Sequence, residues 1–385
     1  MPHLRRILRF AQLIIPVVFI GTVPAFAQRI IRCPQNADPL EAKWDWAWRE
    51  IARAKSPHGF WIGYGIQRWM GETSFIGSFV SDASSRDVSL HELLYGQKES
   101  LTISESEESL REAAERALQA THGRRRVEPK VLKGVAILFA YASAQDEPMQ
   151  PRKIVICNLS TTVDLHDHPL LWLGSSHDEE SVAFLENMFD QPHTEKIREN
   201  LVFAISIHDS SERALQFLRN VLVGGESEKV RGTAAFFLGQ RDRKEDVNLL
   251  VKVATHDASK RVRDQAVFGL SRMESDAAVD ALIDLAKHAE RKDVREKAIF
   301  WIAQEASDRV ARTLKGIIFS DDETGIQRQA VFALSRMRGE DGVAELIEIA
   351  KTHKNPQIRR EALFWLGRSK DPRAFDFLVK TVRQN

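Results

Sequence analysis

The sequence predicts a mainly α-helical protein, an α-solenoid of about seven two-helix repeats that is preceded by a small α+β domain. Two observations predict this architecture. Aliphatic residues recur every 32 residues in the C-terminal half, at Val230, Val262, Val294, Ile326 and Ile358. A second group of apolar residues at helical spacing follows each of them. Because one such repeat cannot bury its apolar face alone, we expect neighbouring copies to stack.

The first 27 residues have the pattern of a secretory signal peptide. Three arginines precede residue 10, residues 10–23 are apolar, and residues 25–27 (Ala-Phe-Ala) match a cleavage site. We therefore expect cleavage after Ala27 and a periplasmic or secreted protein with no membrane span after cleavage. The alternative is an uncleaved anchor, but an apolar run of 14 residues is short for a membrane span.

Charge and cysteine content narrow the function classes. The chain has 55 basic and 54 acidic side chains, and signal cleavage removes three arginines and no carboxylate. This near-neutral balance argues against nucleic acid or an anionic membrane as the main partner. Cys33 and Cys157 are the two cysteines, and an exported protein meets an oxidising compartment. We expect a disulfide between them, with two independent thiols as the alternative.

Residues 28–160 are predicted to form the small α+β domain that caps the first repeat. An amphipathic helix is expected over residues 40–55, and alternating apolar residues predict a strand that starts at Phe60. Trp46 points away from the apolar face of that helix. We favour packing of Trp46 beneath the following strand, and the alternative is a contact site for a partner.

The rest of this domain is predicted from two further patterns. Residues 135–142 and 154–159 are expected to pair as a β-hairpin across a polar loop. Ser104 and Glu107 have the spacing of a capping box, which predicts a helix that begins there. The disulfide would tie the start of the domain to its last strand.

Residues 161–385 are predicted to form the repeats. In each copy an alanine lies four residues after the recurring aliphatic and a phenylalanine lies two residues further, as in Ala266 and Phe268 after Val262. The second helix has apolar residues at i, i+3, i+4 and i+7. Two earlier copies extend the series, one that starts at Ile197 and one that starts at Leu165 and includes residues 171–174.

One column of the repeats alternates between large and small residues. It lies seven residues beyond the recurring aliphatic and reads Trp172, Ala204, Phe237, Gly269, Trp301, Ala333 and Trp365. In a close-packed interior a large ring needs a small neighbour. We therefore interpret the three tryptophans as core residues and a pair of repeats as the true unit.

The pattern V-R-x-x-A-x-F-x-L, followed by the second-helix pattern, resembles the HEAT-repeat superfamily, in particular the short bacterial E-Z or phycobilin-lyase-like repeats. The resemblance covers residues 165–385. It implies an α-solenoid in which the recurrent arginines belong to a structural ladder with acidic residues. Those arginines are Arg198, Arg231, Arg263, Arg295 and Arg359.

Enzymes occur in this superfamily, and their motifs are missing here. Deoxyhypusine hydroxylases bind iron through His-Glu dipeptides on their repeats, whereas the one such dipeptide in this sequence, His91-Glu92, lies outside the repeats. The histidines and aspartates of residues 166–209 are interpreted as loop and cap residues rather than metal ligands. We therefore expect no catalytic residue, no metal and no cofactor.

A polar column at the turn between first and second helices is the candidate binding site. It consists of Gln240, Arg272, Gln304, Arg336 and Arg368. Guanidinium and amide groups in a row can receive an acidic partner. The alternative is that these side chains satisfy the last carbonyls of their own helices.

Together these features predict an exported, non-enzymatic scaffold for a protein or peptide partner. Self-association through the C-terminal end, where Phe377 takes a position held by smaller or polar residues in most earlier copies, is a further expectation. Two alternatives belong to other classes: a HEAT-like enzyme, metal-dependent or lyase-type, and a redox-responsive envelope sensor that uses Cys33 and Cys157.

Overall fold

The computed structural model describes residues 30–34, 39–54, 59–77, 88–96, 130–142, 150–166, 168–304, 307–337 and 341–384. The predicted signal peptide and the helix predicted to begin at Ser104 lie outside the described residues. The described part of the chain forms a five-stranded sheet followed by stacked helical pairs.

The sheet has the strand order β1-β5-β2-β3-β4. Its strands are β1 (Ile30–Arg32), β2 (Phe60–Gly71), β3 (Lys130–Tyr141), β4 (Lys153–Asn158) and β5 (Leu170–Ser175). Strands β2, β3 and β4 are antiparallel neighbours, so the predicted hairpin forms between β3 and β4. Strand β5 pairs in parallel with both β1 and β2.

Both faces of the sheet carry buried side chains, because alternate side chains of each strand point to opposite sides and a helix packs on each face. One face packs against α1 (Leu40–Ala54). There the Trp44 and Phe139 rings pack edge-on, with 5.1 Å between the ring centres. The other face is covered by α2 (Leu90–Tyr95), whose N-cap Ser89 accepts a hydrogen bond from the amide of Glu92.

The sequence predicted a first helix of the first repeat that includes residues 171–174. This prediction is wrong, because residues 170–175 form strand β5. A short run of apolar residues fits a buried helix and a doubly buried strand equally well. Leu171 and Leu173 join the cluster that continues into the helices, while Leu170 and Trp172 belong to the cluster under α2. The sheet thus extends to Ser175, past the boundary predicted at residue 160.

The helical part begins with α3 (Asp178–Phe189) and continues as six helical pairs, which confirms the predicted mainly α fold class. The pairs are α4 (Glu195–Ser206) with α5 (Glu212–Val223), α6 (Glu228–Arg241) with α7 (Lys244–His256), α8 (Lys260–Arg272) with α9 (Asp276–His288), α10 (Lys292–Ile302) with α11 (Asp308–Ser320), α12 (Thr324–Arg336) with α13 (Asp341–Thr352), and α14 (Pro356–Arg368) with α15 (Pro372–Gln384). The first predicted copy is therefore represented by α3.

One continuous core runs from the sheet through the repeats. The recurring aliphatics of the repeat signature are all buried in it. First helices of neighbouring repeats approach closely where the sequence keeps small residues. A Cβ atom on Gly239 would lie 2.3 Å from the carbonyl oxygen of Gly269, so the backbones of α6 and α8 are in contact there. None of the helices in the described ranges has the length and apolar character needed to cross a membrane.

Candidate binding surface

The first helices expose a line of phenylalanine rings, here called the aromatic row. It consists of Phe236, Phe268, Phe300, Phe332 and Phe364. Phe300 is 39% exposed and Phe364 is 55% exposed, and the other three are half-buried. Large apolar side chains exposed in a line mark a contact surface more often than singly scattered ones do. The repeat signature contained these phenylalanines, but nothing in their spacing separated a surface position from a core position.

Two of the three tryptophans of the alternating column, Trp301 and Trp365, lie beside this row. The Trp301 ring stacks on Phe268 at 4.6 Å, and the Trp365 ring lies 5.0 Å from Phe332. Both tryptophans are half-buried and pack against the hydrophobic core, so they lie at its margin rather than inside it, whereas Trp172 is 3% exposed beneath α2. A position seven residues beyond a buried aliphatic lies at the edge of the buried helix face, where a large ring extends to the surface.

The polar column lies one helical turn beyond the aromatic row, because each member follows its phenylalanine by four residues. All five members are exposed. Within the described ranges, no hydrogen bond or ion pair holds the side chains of Arg272 and Arg336. The Arg368 guanidinium lies 5.8 Å from the centre of the Phe364 ring. These arginines do not cap the carbonyls of their own helices, and their charges are available to a partner.

Two grooves open where the polar column meets the tryptophans. Groove 1 has a volume of about 290 Å³ and is lined by Leu270, Ser271, Arg272, Met273, Val279, Leu282, Trp301 and Gln304. Groove 2 has a volume of about 600 Å³ and is lined by Phe332, Leu334, Ser335, Arg336, Met337, Gly342, Val343, Leu346, Phe364, Trp365, Arg368, Ser369 and Asp371. Both combine an apolar wall with exposed arginine.

The two grooves are lined by equivalent residues that lie 64 positions apart in the sequence, a separation of two repeats. Each of the eight residues that line groove 1 has a counterpart 64 positions later in the lining of groove 2. Seven of these pairs are identical in residue type, and the exception is Gln304, whose counterpart is Arg368. The pair of repeats is therefore the unit of this surface.

The two copies differ beside their tryptophans. Next to groove 1, the Lys297 ammonium lies 3.5 Å from Asp264, and the buried indole N–H of Trp301 has no hydrogen-bond acceptor in the described part of the chain. In the second copy the charges are reversed, and the equivalent pair is Arg328 with Glu361 at 3.0 Å. Glu361 also accepts a hydrogen bond from the Trp365 indole at 3.0 Å.

The five ladder arginines lie elsewhere, in the contacts between consecutive repeats. Four of them pair with acidic residues, as Arg198 with Glu226, Arg231 with Asp257, Arg263 with Asp293, and Arg295 with Asp321 and Glu323. Arg359 donates instead to the carbonyl oxygens of His353 and Lys354. Gln327 replaces the arginine in one copy and donates to the Asp321 carbonyl at 2.7 Å. These side chains therefore make their polar contacts within the solenoid.

The predicted disulfide does not form, and both cysteines are free thiols. Cys33 follows β1 at one edge of the sheet, and Cys157 lies in β4 at the opposite edge. Four strand spacings separate them, about 19 Å, whereas a disulfide needs Cα atoms within about 7 Å. Burial raises the pKa of the Cys157 thiol to about 12. Sequence spacing carried no information on which edge each strand occupies.

Trp46, the remaining binding candidate, is half-buried and packs against the core. The histidines of residues 166–209 are dispersed. His166 pairs with Asp164, while His208 is buried with its Nε2 atom 2.8 Å from the Ser181 hydroxyl. The described residues contain no group of three or more His, Cys, Asp or Glu side chains placed to hold a metal ion.

The sheet and the first repeat are joined by polar contacts. The Ser181 hydroxyl, in α3, also lies 2.8 Å from the Tyr64 hydroxyl in β2. Close to these hydrogen-bonded side chains, the Arg68 guanidinium of β2 donates a hydrogen bond of 2.9 Å to the Asp209 carboxylate. The predicted cap is therefore in direct contact with the helical part.

The last helix, α15, exposes Phe375 and Val382, which are 68% and 78% accessible. Phe377, the residue singled out from the sequence, is half-buried, and the Lys351 ammonium lies 5.4 Å from the centre of its ring. The exposed apolar stripe of α15 thus consists of Phe375 and Val382 and does not include Phe377.

Comparison with protein families identifies the repeats. A family model described as HEAT repeats matches residues 215–303 and 310–385. The comparison with curated proteins finds no match.

Several solved structures are similar at low identity. Human deoxyhypusine hydroxylase in complex with glycerol is 19% identical, with 52% of this chain and 77% of that chain covered and a TM-score of 0.23. The Escherichia coli protein YibA is 18% identical, with coverages of 54% and 77% and a TM-score of 0.33. The CpcE–CpcF complex of phycocyanin lyase from Nostoc sp. PCC7120 is 19% identical, with coverages of 49% and 76% and a TM-score of 0.28.

These similarities correct the prediction that the chain is not an enzyme. The structures that are similar to it at low identity include a hydroxylase and a lyase. A fold by itself does not separate binding proteins from enzymes. The family match and the stacked helical pairs show that residues 215–303 and 310–385 of this chain are HEAT repeats.

Proposed function

We propose that this protein is an exported scaffold that binds a segment of another protein along the aromatic row and the polar column. The observation that carries the proposal is that exposed rings run side by side on the first helices with guanidinium groups that have no ion pair in the described part of the chain. Aromatic residues and arginine dominate the binding energy of protein interfaces. The signal-like pattern of residues 1–27 supports export. An exported scaffold would meet its partner in the periplasm or outside the cell.

The N-terminal domain, in this proposal, serves as the cap of the solenoid. A stack of repeats exposes an apolar face at each end unless another structure covers it. Trp44 of α1 fulfils this role in part, because its ring contacts Phe139 of the sheet and Phe184 of α3 at 5.1 and 4.8 Å. The sheet domain stabilises the surface without lining either groove.

The redox-sensor alternative loses its basis, because Cys33 and Cys157 lie at opposite edges of the sheet. Near-neutral charge supports a protein partner over nucleic acid.

Site-specific photo-crosslinking in cells tests the proposed function. A photoreactive phenylalanine analogue at Phe300 or Phe364 should form a crosslinked species of defined mass. The same analogue at Asp284, an exposed position of the second helix α9, is the matched control and should not. Equal crosslinking from all three positions, or none from Phe300 and Phe364, would contradict binding along this surface.

A further inference from the structure

We propose that grooves 1 and 2 are two copies of one recognition site, and that together they bind a single extended acidic protein segment. Each groove would take a carboxylate beside a large apolar side chain. This inference rests on the proposed function, because it names the partner class of the same surface. It concerns the grooves and not the aromatic row as a whole.

The matched linings are the first support. Leucine, serine, arginine, methionine, valine, leucine and tryptophan recur in the same order in both grooves, 64 residues apart. In the repeat between them the tryptophan position is Ala333, which is 2% exposed and has no ring to form such a wall. Two sites of one chemical composition are suited to two occurrences of one motif.

Charge defines what the motif carries. Among the residues that the structure describes, groove 1 has Arg272 at its rim and no carboxylate in its lining. Groove 2 has Arg336 and Arg368, and the carboxylate in its lining, Asp371, is hydrogen-bonded to the Arg373 guanidinium at 2.7 Å. The hydrogen bond from Arg373 lowers the pKa of Asp371. The positive charge of Arg373 offsets the negative charge of this carboxylate. Both grooves therefore complement an anionic group.

The apolar walls define the neighbour of that anionic group. Met273, Val279 and Leu282 line groove 1, and their counterparts line groove 2. A leucine, methionine or phenylalanine of the partner would lose its contact with water against these side chains and the adjacent tryptophan ring. The recognised motif is thus an aspartate or glutamate next to a large apolar residue.

A nucleic acid fits this surface less well than an acidic peptide does. The first helices between and beside the grooves carry both signs, with Lys260 and Lys297 around Asp264 and with Arg328 beside Glu361. A phosphate backbone needs a continuous basic track, which these carboxylates interrupt. An acidic peptide needs positive charge only at the two grooves.

The spacing of the grooves sets the length of the segment. Packed helices lie 8–10 Å apart, so two repeats separate the grooves by about 20 Å. An extended chain spans about 3.3 Å per residue, so about six residues connect the two motifs. Since Arg368 replaces Gln304 in groove 2, the motif at groove 2 should be the more acidic one.

Selection of a random peptide library on the full-length protein tests this inference. We expect enriched peptides to carry two acidic-apolar motifs about six residues apart. Fluorescence anisotropy should show that a peptide with both motifs binds on the order of 100-fold more tightly than either half, because the second contact becomes intramolecular.

Variants connect that binding to the grooves. Arg272→Glu and Arg336→Glu should each weaken the selected peptide by about tenfold or more, and the double variant should abolish binding. Arg312→Glu, an exposed arginine on α11, is the matched control and should bind as wild type does. Circular dichroism should show the same unfolding temperature for all four proteins.

Three outcomes would overturn the inference. They are a selection that yields no binder or no acidic residues, groove variants that bind as wild type does, and single-stranded DNA that binds more tightly than the peptide. If Phe300 and Phe364 still crosslink in cells, the proposed function survives each of these results. Loss of those crosslinks would instead remove the proposed function itself.

Discussion

Nε2 of His208 lies 2.8 Å from the Ser181 hydroxyl in the interior between the sheet and the first repeat. Both side chains are at most 1% exposed, and the Ser181 hydroxyl continues the chain to Tyr64. Burial lowers the pKa of the His208 imidazole below its ordinary value, even though Asp178 opposes this shift. Burial at this contact between the two parts of the molecule therefore favours the neutral form of His208.

The lowered pKa of His208 predicts that stability falls on mild acidification. A histidine whose pKa is depressed in the folded state contributes stability above its unfolded pKa of about 6.5 and loses that contribution as the pH falls below it. The unfolding temperature should therefore be lower at about pH 5 than at about pH 7.5. His208→Gln should reduce this difference, while part of it remains because burial also lowers the pKa of His193.

The exposed His256 provides the control for that measurement. His256→Gln should keep the wild-type difference between the two pH values. An unchanged pH dependence in His208→Gln would show that His208 does not link protonation to stability.

The unequal surroundings of the two groove tryptophans predict unequal responses to matched substitutions. Glu361→Met removes the acceptor of the Trp365 indole and should lower the free energy of unfolding by about 1 kcal/mol. Glu361→Gln keeps an acceptor and should be close to wild type. Lys297→Met, at the equivalent position, should also be close to wild type because the Trp301 indole has no acceptor among the described residues. Urea denaturation measures all three, and equal losses for Glu361→Met and Lys297→Met would contradict this prediction.

The ladder predicts a graded series at Arg263. Its guanidinium donates to Asp293 and, through Nη1, to the Asp257 and Ala258 carbonyls. Arg263→Met should lower the free energy of unfolding by about 2–3 kcal/mol, because it leaves a partly buried carboxylate without its partner. Arg263→Gln should cost less, since Gln327 makes the equivalent carbonyl contact in its own repeat. The exposed Arg312→Met should stay within about 0.5 kcal/mol of wild type in the same urea titration.

The signal-like start predicts a mature protein that begins at Gln28. Mass spectrometry of the protein from cell fractions should find this N-terminus in the periplasm or the medium. Replacement of Ala27 by a bulky residue should leave the longer form attached to the membrane. A full-length chain that remains in the cytoplasm in the wild type would refute export.

The apolar stripe on α15 predicts weak self-association. Sedimentation velocity should show a mass that rises with protein concentration, and Phe375→Glu with Val382→Glu should return the protein to a monomer. Phe377→Glu is the contrasting variant, and it should lower stability because that ring is half-buried. A wild-type monomer at every concentration would exclude association through this helix.

The repeats could be predicted from sequence because their information is local and periodic. Val262, Ala266 and Leu270 recur on one helix face in every copy, and each copy repeats the prediction independently. The six apolar residues that start at Leu170 occur once, and a run of that length has no period that distinguishes a strand from a helix. The fate of such a segment is decided by distant partners, here β1 and β2.

The candidate surface was predictable only in its polar half. Arg272 and Arg336 sit at helix ends, where charge implies exposure, and the structure places them there. Phe300 and Trp301 are residue types typical of a core, yet Phe300 is 39% exposed and Trp301 is half-buried. The residue type alone does not show which edge of the buried helix face reaches the solvent. The disulfide prediction for Cys33 and Cys157 was wrong for a similar reason, because the order of strands is a property of the whole sheet.

The alternation of large and small residues also restricts how such a chain can be shortened. Excision of residues 269–300, one repeat, would place Trp301 directly after Phe237 in the alternating column, and two bulky rings would compete for one space. Excision of residues 237–300, two repeats, would place Trp301 after Ala204 and preserve the alternation. Viable deletions and insertions in this solenoid should therefore come in even numbers of repeats.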